Sequence, residues 1–181
     1  MQSNSICTDR LEMRPFTLED AELLFSLDSD PEVMRYLGNK PINDINVVHE
    51  YLGNILRQYQ ENNIARWAVL EKSSGQFIGW AGIKYITEEE NGMTNFYDVG
   101  YRLLPAFWGK GYATECTKAW IDYAKHKLKI QKIYASAHVD NHGSQKVLIK
   151  SGFLQTGQYD FSFNGATLPC YWYELRLEKD I

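Results

Sequence analysis

The chain has 181 residues, of which 44% are hydrophobic, 14% aromatic and 23% charged. This length suits one well-buried domain and is short for two, so we expect a single domain over residues 1–181. The 19 lysines and arginines are outnumbered by 23 aspartates and glutamates, which gives a net charge of −4. That balance argues against a nucleic-acid-binding protein, because such proteins carry a basic footprint.

Three widely spaced cysteines, Cys7, Cys116 and Cys170, form no C-x-x-C pair. The sequence therefore predicts neither a disulfide framework nor a zinc site, and we expect no metal. No signal-peptide pattern opens the chain, and no apolar run approaches the length of a membrane span. We expect a cytoplasmic protein with reduced thiols and no membrane partner, and the sequence leaves a homodimer open.

Helix and strand patterns alternate along the chain and predict one mixed α/β domain. In chain order they predict a strand over 8–16, helices over 17–26, 30–38 and 44–60, strands over 66–71, 76–86 and 96–104, a helix over 113–128, a strand over 132–140, a helix over 141–150, and paired strands over 159–163 and 168–177.

Local signals fix several of these boundaries. Thr17 and Asp20 resemble a capping box, in which each residue's side chain bonds the other's backbone at a helix start. Two glycines inside the strand over 76–86, Gly79 and Gly82, indicate a bulge or a close backbone approach. Asn164-Gly165 is a strong signal for a tight hairpin turn.

The most informative segment is a glycine-flanked lysine, Gly109-Lys110-Gly111, between a predicted strand and a predicted helix. Such a turn exposes backbone N–H groups at the positive end of a helix dipole, where phosphate-type anions bind. Neither common nucleotide motif fits. Leu104 stands where a P-loop needs its first glycine, and Thr114 stands where the dinucleotide fingerprint needs its third.

Two runs, VGYRLLPAFWGKGYATE and VDNHGSQKVLIKSGF, resemble the GNAT acetyltransferase superfamily. The opening run TDRLEMRPFTLEDAELLFSLDSDPEVMRYL resembles the branch of ribosomal-protein N-terminal and small-amine acetyltransferases. The resemblance implies a mostly antiparallel mixed sheet, splayed between two parallel strands, with helices on both faces. It also implies an N-acetyltransferase that uses acetyl-CoA as co-substrate.

The resemblance further implies which residues act. The backbone N–H groups of residues 109–113 would hold the coenzyme A pyrophosphate, and unpaired backbone near Leu103 would bond its pantetheine arm. Asn141 would bond the pantetheine or simply cap the following helix, and Ser144 would donate to the sulfur as general acid. The implied cofactor-binding residues are Leu103, Leu104, Trp108, Gly109, Lys110, Gly111, Tyr112, Ala113, Thr114, Asn141 and Ser144.

The family reaction is a direct attack by a neutral amine on the thioester, through a tetrahedral intermediate and without a covalent enzyme intermediate. The departing thiolate needs a proton, and the amine must lose one. The candidate general bases are Asp98 and Asp160, and a chain of waters is the alternative. The acceptor is either a protein N-terminus or a small amine. The competing interpretation is a non-catalytic acyl-CoA-binding or protein-interaction module on the same fold.

Overall fold

The computed structural model describes residues 5–177. One sheet of eight strands forms the centre, in the order β1-β2-β3-β4-β5-β6-β8-β7. The strands are β1 (Ile6–Cys7), β2 (Leu11–Pro15), β3 (Arg66–Glu71), β4 (Phe77–Ile86), β5 (Phe96–Leu103), β6 (Lys132–His138), β7 (Leu154–Phe163) and β8 (Ala166–Arg176). The helices are α1 (Ala21–Asp28), α2 (Pro31–Met34), α3 (Ile45–Asn62), α4 (Tyr112–Tyr123) and α5 (His142–Lys150).

Helices cover both faces of the sheet, as predicted. On one face, α4 and α5 bury apolar residues of alternate strand positions, such as Val69, Ile83 and Val99, around the fully buried Trp120. On the other face, α1 and α3 enclose a second cluster, which includes Leu27 and Leu52. The alternation of side chains along each strand separates the two clusters, because neighbouring residues point to opposite faces.

The predicted capping box is confirmed. The Thr17 backbone N–H donates to Asp20 Oδ2 at 2.8 Å, at the start of a 3₁₀ turn, Leu18–Asp20, that leads into α1. Arg14 makes a two-pronged ion pair with the same carboxylate, at 2.8 Å for each bond. Burial opposes ionisation of Asp20, but these hydrogen bonds outweigh it and hold the pKa of the carboxyl below its ordinary value.

The expectation for Gly79 and Gly82 is also confirmed. The β3–β4 register shifts between Val69 and Leu70 opposite Gly79, which marks a bulge. Gly79 has φ +144, and a Cβ there would lie 2.1 Å from the Arg102 carbonyl oxygen. Glycine at this position therefore lets β4 and β5 approach more closely than any side chain permits.

Several predicted boundaries were wrong. The predicted strand over 8–16 is shorter and begins at Leu11 (β2), because residues 8–10 form a turn after β1 in which Thr8 and Leu11 bond each other. The helix after the glycines changes to a π-helical turn at Ala124–Leu128. Strand β7 begins at Leu154, five residues before the prediction, because it pairs with β8 along almost its whole length. The Asn164-Gly165 turn is confirmed, with positive φ at both residues.

The sheet opens between its two parallel strands. β5 and β6 are in register at one pair, Asp98 with Tyr134, near the start of each strand. Beyond this pair β5 stays bonded to β4 as far as Leu103, and β6 stays bonded to β8 as far as His138. The strands therefore diverge toward their carboxyl ends and leave a gap through the sheet, as the resemblance implied.

Candidate active site

A cavity of about 790 Å³ passes through this gap. Its walls include every β5 residue from Asp98 to Leu103 and the end of β6 from Ser136 to His138. On one face of the sheet it reaches the start of α4 and the first turns of α5, and on the other it reaches α1 and α3. A ligand in this cavity can therefore contact groups from both faces at once.

The glycine turn forms one end of the cavity. Gly109 and Gly111 both have positive φ, at +72 and +82, and Gly111 is the N-cap of α4. No side chain caps the first turn of α4, so its backbone N–H groups are open to a ligand. A Cβ at Gly109 would meet no heavy atom within 4 Å, which leaves this approach clear.

Side chains from the turn between β1 and β2 hold the outer side of the glycine turn in place. Glu115, in the first turn of α4, forms an ion pair with Arg10 at 2.6 Å and accepts a hydrogen bond from Thr8 at 2.5 Å. Arg10 also donates to the Lys110 carbonyl at 2.9 Å and lies 4.3 Å from the Tyr112 ring centre. We call Thr8, Arg10 and Glu115 the loop clamp. The loop clamp restrains the backbone of the glycine turn. An anion binds more tightly to N–H groups that are already held in position.

The Trp108 side chain connects the glycine turn to the end of β5. Its indole Nε1 donates to the Leu103 carbonyl at 2.7 Å, while 47% of the residue surface is exposed. The Leu104 N–H also has a partner, the Ile78 carbonyl at 2.9 Å. The expectation of unpaired backbone near Leu103 is thus wrong for these two atoms. The reason is that β4 accepts from the Leu104 N–H, while the Trp108 side chain donates to the Leu103 carbonyl, which points away from β4.

The start of α5 brings together two of the predicted residues and one that was missed. Asn141 caps the helix, because its Oδ1 accepts from the Ser144 N–H at 3.0 Å. The Ser144 hydroxyl lies 2.9 Å from the phenol oxygen of Tyr101, a β5 residue, and that phenol also donates to the Ser144 carbonyl at 3.0 Å. Burial raises the pKa of Tyr101. It stays a neutral phenol that fixes the position of Ser144.

The opposite end of the cavity is charged. Asp98 is paired with Arg66, and Asp28 is paired with Arg102 at 2.5 Å. The Trp80 ring lies 5.2 Å from each of the two guanidinium carbons. The ion pairs with arginine hold both aspartates in fixed orientations, and the Trp80 ring packs against both arginines.

The structure brings most of the predicted residues to the cavity and leaves three outside it. Leu103, Trp108, Asn141 and Ser144 line the wall, together with residues of the glycine turn and first helical turn, and so does Asp98. Leu104 and Lys110 are not among its lining residues, and Lys110 Nζ lies over the Phe107 ring at 5.2 Å.

Asp160 is the third predicted residue outside the cavity. It is exposed on β7, and in the β7–β8 register it alternates with Tyr159 and Phe161. Because Phe161 faces the cavity, the Asp160 side chain points to the opposite face of the hairpin. The structure therefore does not bring this candidate base to the other site residues.

Two further observations concern ions and membranes. Within residues 5–177 no group of three or more histidine, cysteine, aspartate or glutamate side chains is arranged to hold a metal ion. Among the same residues, no helix has the length and apolar character needed to span a bilayer.

The split sheet and the glycine turn beside it are the features that the sequence resemblance implied, and comparison with known proteins agrees. A model of the acetyltransferase (GNAT) domain matches residues 10–154. The chain belongs to the GNAT acetyltransferase family and is an N-acetyltransferase.

A relative from Bacillus licheniformis, the uncharacterized N-acetyltransferase p20, is 32% identical over 153 residues, which cover 84% of each chain. The structure of RimL, a ribosomal L7/L12 α-N-protein acetyltransferase in complex with coenzyme A, superposes with a TM-score of 0.81 at 16% identity, covering 98% of this chain and 100% of the other. A Vibrio cholerae spermidine N-acetyltransferase, in complex with coenzyme A and spermine, gives 0.74 at 20% identity, covering 93% and 96%. These two structures share the fold with this chain.

Proposed function

We propose that this protein transfers the acetyl group of acetyl-CoA to a primary amine, either the α-amine of a protein N-terminus or a small amine. The observation that supports this best is the cavity through the β5–β6 gap. It joins an anion-binding helix start on one face of the sheet to a charged pocket on the other. A donor and an acceptor can therefore meet between the strands from opposite sides.

The residues at the glycine turn fit the pyrophosphate of coenzyme A. The N–H groups of residues 109–113 offer donors at the positive end of the α4 dipole, and the loop clamp holds them in place. Lys146 and Lys150 of α5 line the same cavity and add positive charge for an anionic ligand. Acetyl-CoA supplies the thioester.

Ser144 is the proton donor that we propose for the departing sulfur. Tyr101 donates its single proton to the Ser144 carbonyl, so its oxygen accepts from the Ser144 hydroxyl. In this arrangement Tyr101 holds the serine oxygen at the cavity wall, and the Ser144 proton turns from Tyr101 to the sulfur as the thiolate leaves. Asn141 supports the same turn from its capping position.

Binding is tested by placing a carboxylate in the turn. Gly109→Asp puts a negative charge where the pyrophosphate is expected, and Gly75→Asp is the matched control, because Gly75 also has φ near +70 and open space around it. Acetyl-CoA at 100 times Kd should stabilise the unsubstituted protein by about 2.7 kcal/mol, which raises Tm by roughly 5–10 °C. We expect Gly109→Asp to weaken affinity about tenfold or more, and Gly75→Asp to leave it unchanged.

Catalysis is tested by following free thiol release from acetyl-CoA with two amines, an N-terminally free alanyl peptide and spermidine. Release with either amine supports the proposed activity and distinguishes the two acceptor classes. Tight acetyl-CoA binding without release, on these and on a wider panel of amines, would instead support the non-catalytic binding module.

A further inference from the structure

Glu90 ends the acidic run Glu88-Glu89-Glu90 and was not among the candidate bases predicted from the sequence. It precedes Asn91-Gly92, and the three residues with Met93 form a two-residue hairpin turn between β4 and β5. The backbones of Glu90 and Met93 exchange two hydrogen bonds, at 2.8 and 3.0 Å, and both central residues have positive φ. This is the tight turn that Asn-Gly favours, and it fixes the backbone of Glu90.

The Glu90 side chain turns from this hairpin into the cavity wall. Its Oε1 accepts a hydrogen bond from the Tyr159 phenol at 2.5 Å. Tyr159 in turn packs edge-on against Trp172, with ring centres 5.2 Å apart and planes at 87°. The carboxyl group is therefore held at the cavity by a rigid aromatic support from β7 and β8.

In the described part of the chain three carboxyl groups line the cavity, and Glu90 differs from the other two. Asp28 and Asp98 are each neutralised by an arginine, whereas no ion pair within residues 5–177 involves Glu90. Burial raises the pKa of Glu90, the bond from Tyr159 lowers it in part, and the nearby Asp98 raises it further. A half-buried carboxylate without a guanidinium partner is a better proton acceptor than one paired with arginine.

We propose that Glu90 is the general base that takes a proton from the acceptor amine. This rests on the proposed acetyl transfer. The ammonium form of the acceptor gives one proton to the Glu90 carboxylate, and the neutral amine then forms a C–N bond with the acetyl carbon. The C–S bond breaks, the sulfur receives a proton through Ser144, and the remaining surplus proton leaves the nitrogen to replace it. The products are the acetamide, the free thiol and one proton carried by Glu90.

The charged groups around Glu90 set the direction of its titration. Lys84 on β4 and Arg66 on β3 stabilise its ionised form, while Asp98 on β5 disfavours it. Burial raises the pKa of Cys170 on β8 to about 11, and the nearby Glu90 charge contributes to this increase. Cys170 therefore stays a neutral thiol. Burial and Arg66 lower the pKa of Lys84, which makes this lysine the competing candidate for the base.

The test is the pH dependence of kcat/KM for thiol release with spermidine. Glu90→Gln keeps an acceptor for the Tyr159 phenol but cannot take a proton. We expect it to lower kcat/KM at neutral pH by about 100-fold or more. The acidic limb set by Glu90 should be replaced by a rise that continues up to the much higher pKa of the amine, because only the neutral amine can then react. The neighbouring exposed Glu89→Gln is the matched control and should match the unsubstituted protein.

Two further variants should shift the acidic limb along the pH axis without removing it. Tyr159→Phe removes a hydrogen bond to the ionised carboxylate, and Lys84→Met removes a nearby positive charge. Both changes favour the protonated form of Glu90, so the limb should shift to higher pH. If Lys84→Met replaces the limb by a rise up to the pKa of the amine while Glu90→Gln leaves the limb where it was, Lys84 is the base and the proposal fails.

A low-basicity amine separates proton removal from structural damage. Methoxyamine is already neutral at neutral pH, so the loss caused by Glu90→Gln should be at least about tenfold smaller with it than with spermidine. An equal loss with both amines would overturn the assignment. Retained stabilisation of Glu90→Gln by acetyl-CoA, and thiol release by the unsubstituted protein, keep this failure distinct from failure of the proposed function.

Discussion

Gly79→Ala tests the close approach of β4 and β5 that sets up the gap. The new Cβ would lie 2.1 Å from the Arg102 carbonyl oxygen and 2.7 Å from Leu103 Cα. Both contacts are with backbone, so the strands must separate because no side chain can move aside. The backbone at φ +144 adds strain for any residue with a Cβ.

The expected loss follows from these two effects. An unfavourable backbone region costs about 1–3 kcal/mol, and overpacking against fixed atoms costs about 1–3 kcal/mol more. Gly79→Ala should therefore lower the free energy of unfolding by about 2–6 kcal/mol. At roughly 2–4 °C for each kcal/mol, Tm should fall by roughly 5–20 °C.

Gly75→Ala is the matched control. Gly75 also has positive φ, at +70, but its Cβ would meet no heavy atom within 4 Å. It should lose about 1 kcal/mol from backbone strain alone. Urea unfolding followed by tryptophan fluorescence gives both free energies. Equal losses for the two variants, within about 0.5 kcal/mol, would refute the inference that contact between strands requires glycine at Gly79.

Three other predictions concern the site and its surroundings. Ser144→Ala should lower kcat by more than about threefold without weakening acetyl-CoA binding, and a smaller change in steady-state assays would remove its role as acid. Glu115→Gln should break the loop clamp and raise KM for acetyl-CoA roughly fivefold, whereas Glu22→Gln, in the first turn of α1, should not change it. Asp20→Asn should destabilise the protein by about 1.5–3 kcal/mol at pH 7, because it removes a carboxylate that accepts charged hydrogen bonds. Since the folded pKa of Asp20 is lowered, its stabilisation is present above the unfolded pKa near 3.9 and is lost as pH falls below that value. The Tm difference between the two proteins should therefore shrink from pH 7 to pH 3, and a constant difference would contradict it.

The sequence allowed the glycine turn and the helix starts to be predicted, because each depends on residues close together in the chain. The parallel pair joins distant segments and was implied by the family resemblance. The Gly109-Lys110-Gly111 turn needs positive φ at both glycines, and it has them. Asn141 as a helix cap is equally local, and its hydrogen bond to the Ser144 N–H is present.

The contacts that orient the side chains were out of reach of the same reasoning. Tyr101 meets Ser144 across 43 residues, and Tyr159 meets Glu90 across 69. Asp160 shows how little separates a correct from an incorrect assignment in a strand. One position along β7 exchanges the cavity face for the solvent face, and a sequence without a known register does not fix that choice.

The single register pair between β5 and β6 divides the sheet into two blocks of strands. The blocks β1–β5 and β6–β8 are each continuously laddered, and they join in register at Asp98 and Tyr134. Alternate β5 residues bond β4, so the N–H groups of Tyr101 and Leu103 face the gap, beyond the last residue that β6 pairs. Amide hydrogen exchange there should be fast in the free protein and slow once a ligand spans the opening. Protection of this short stretch would report occupancy directly, without any need to observe product.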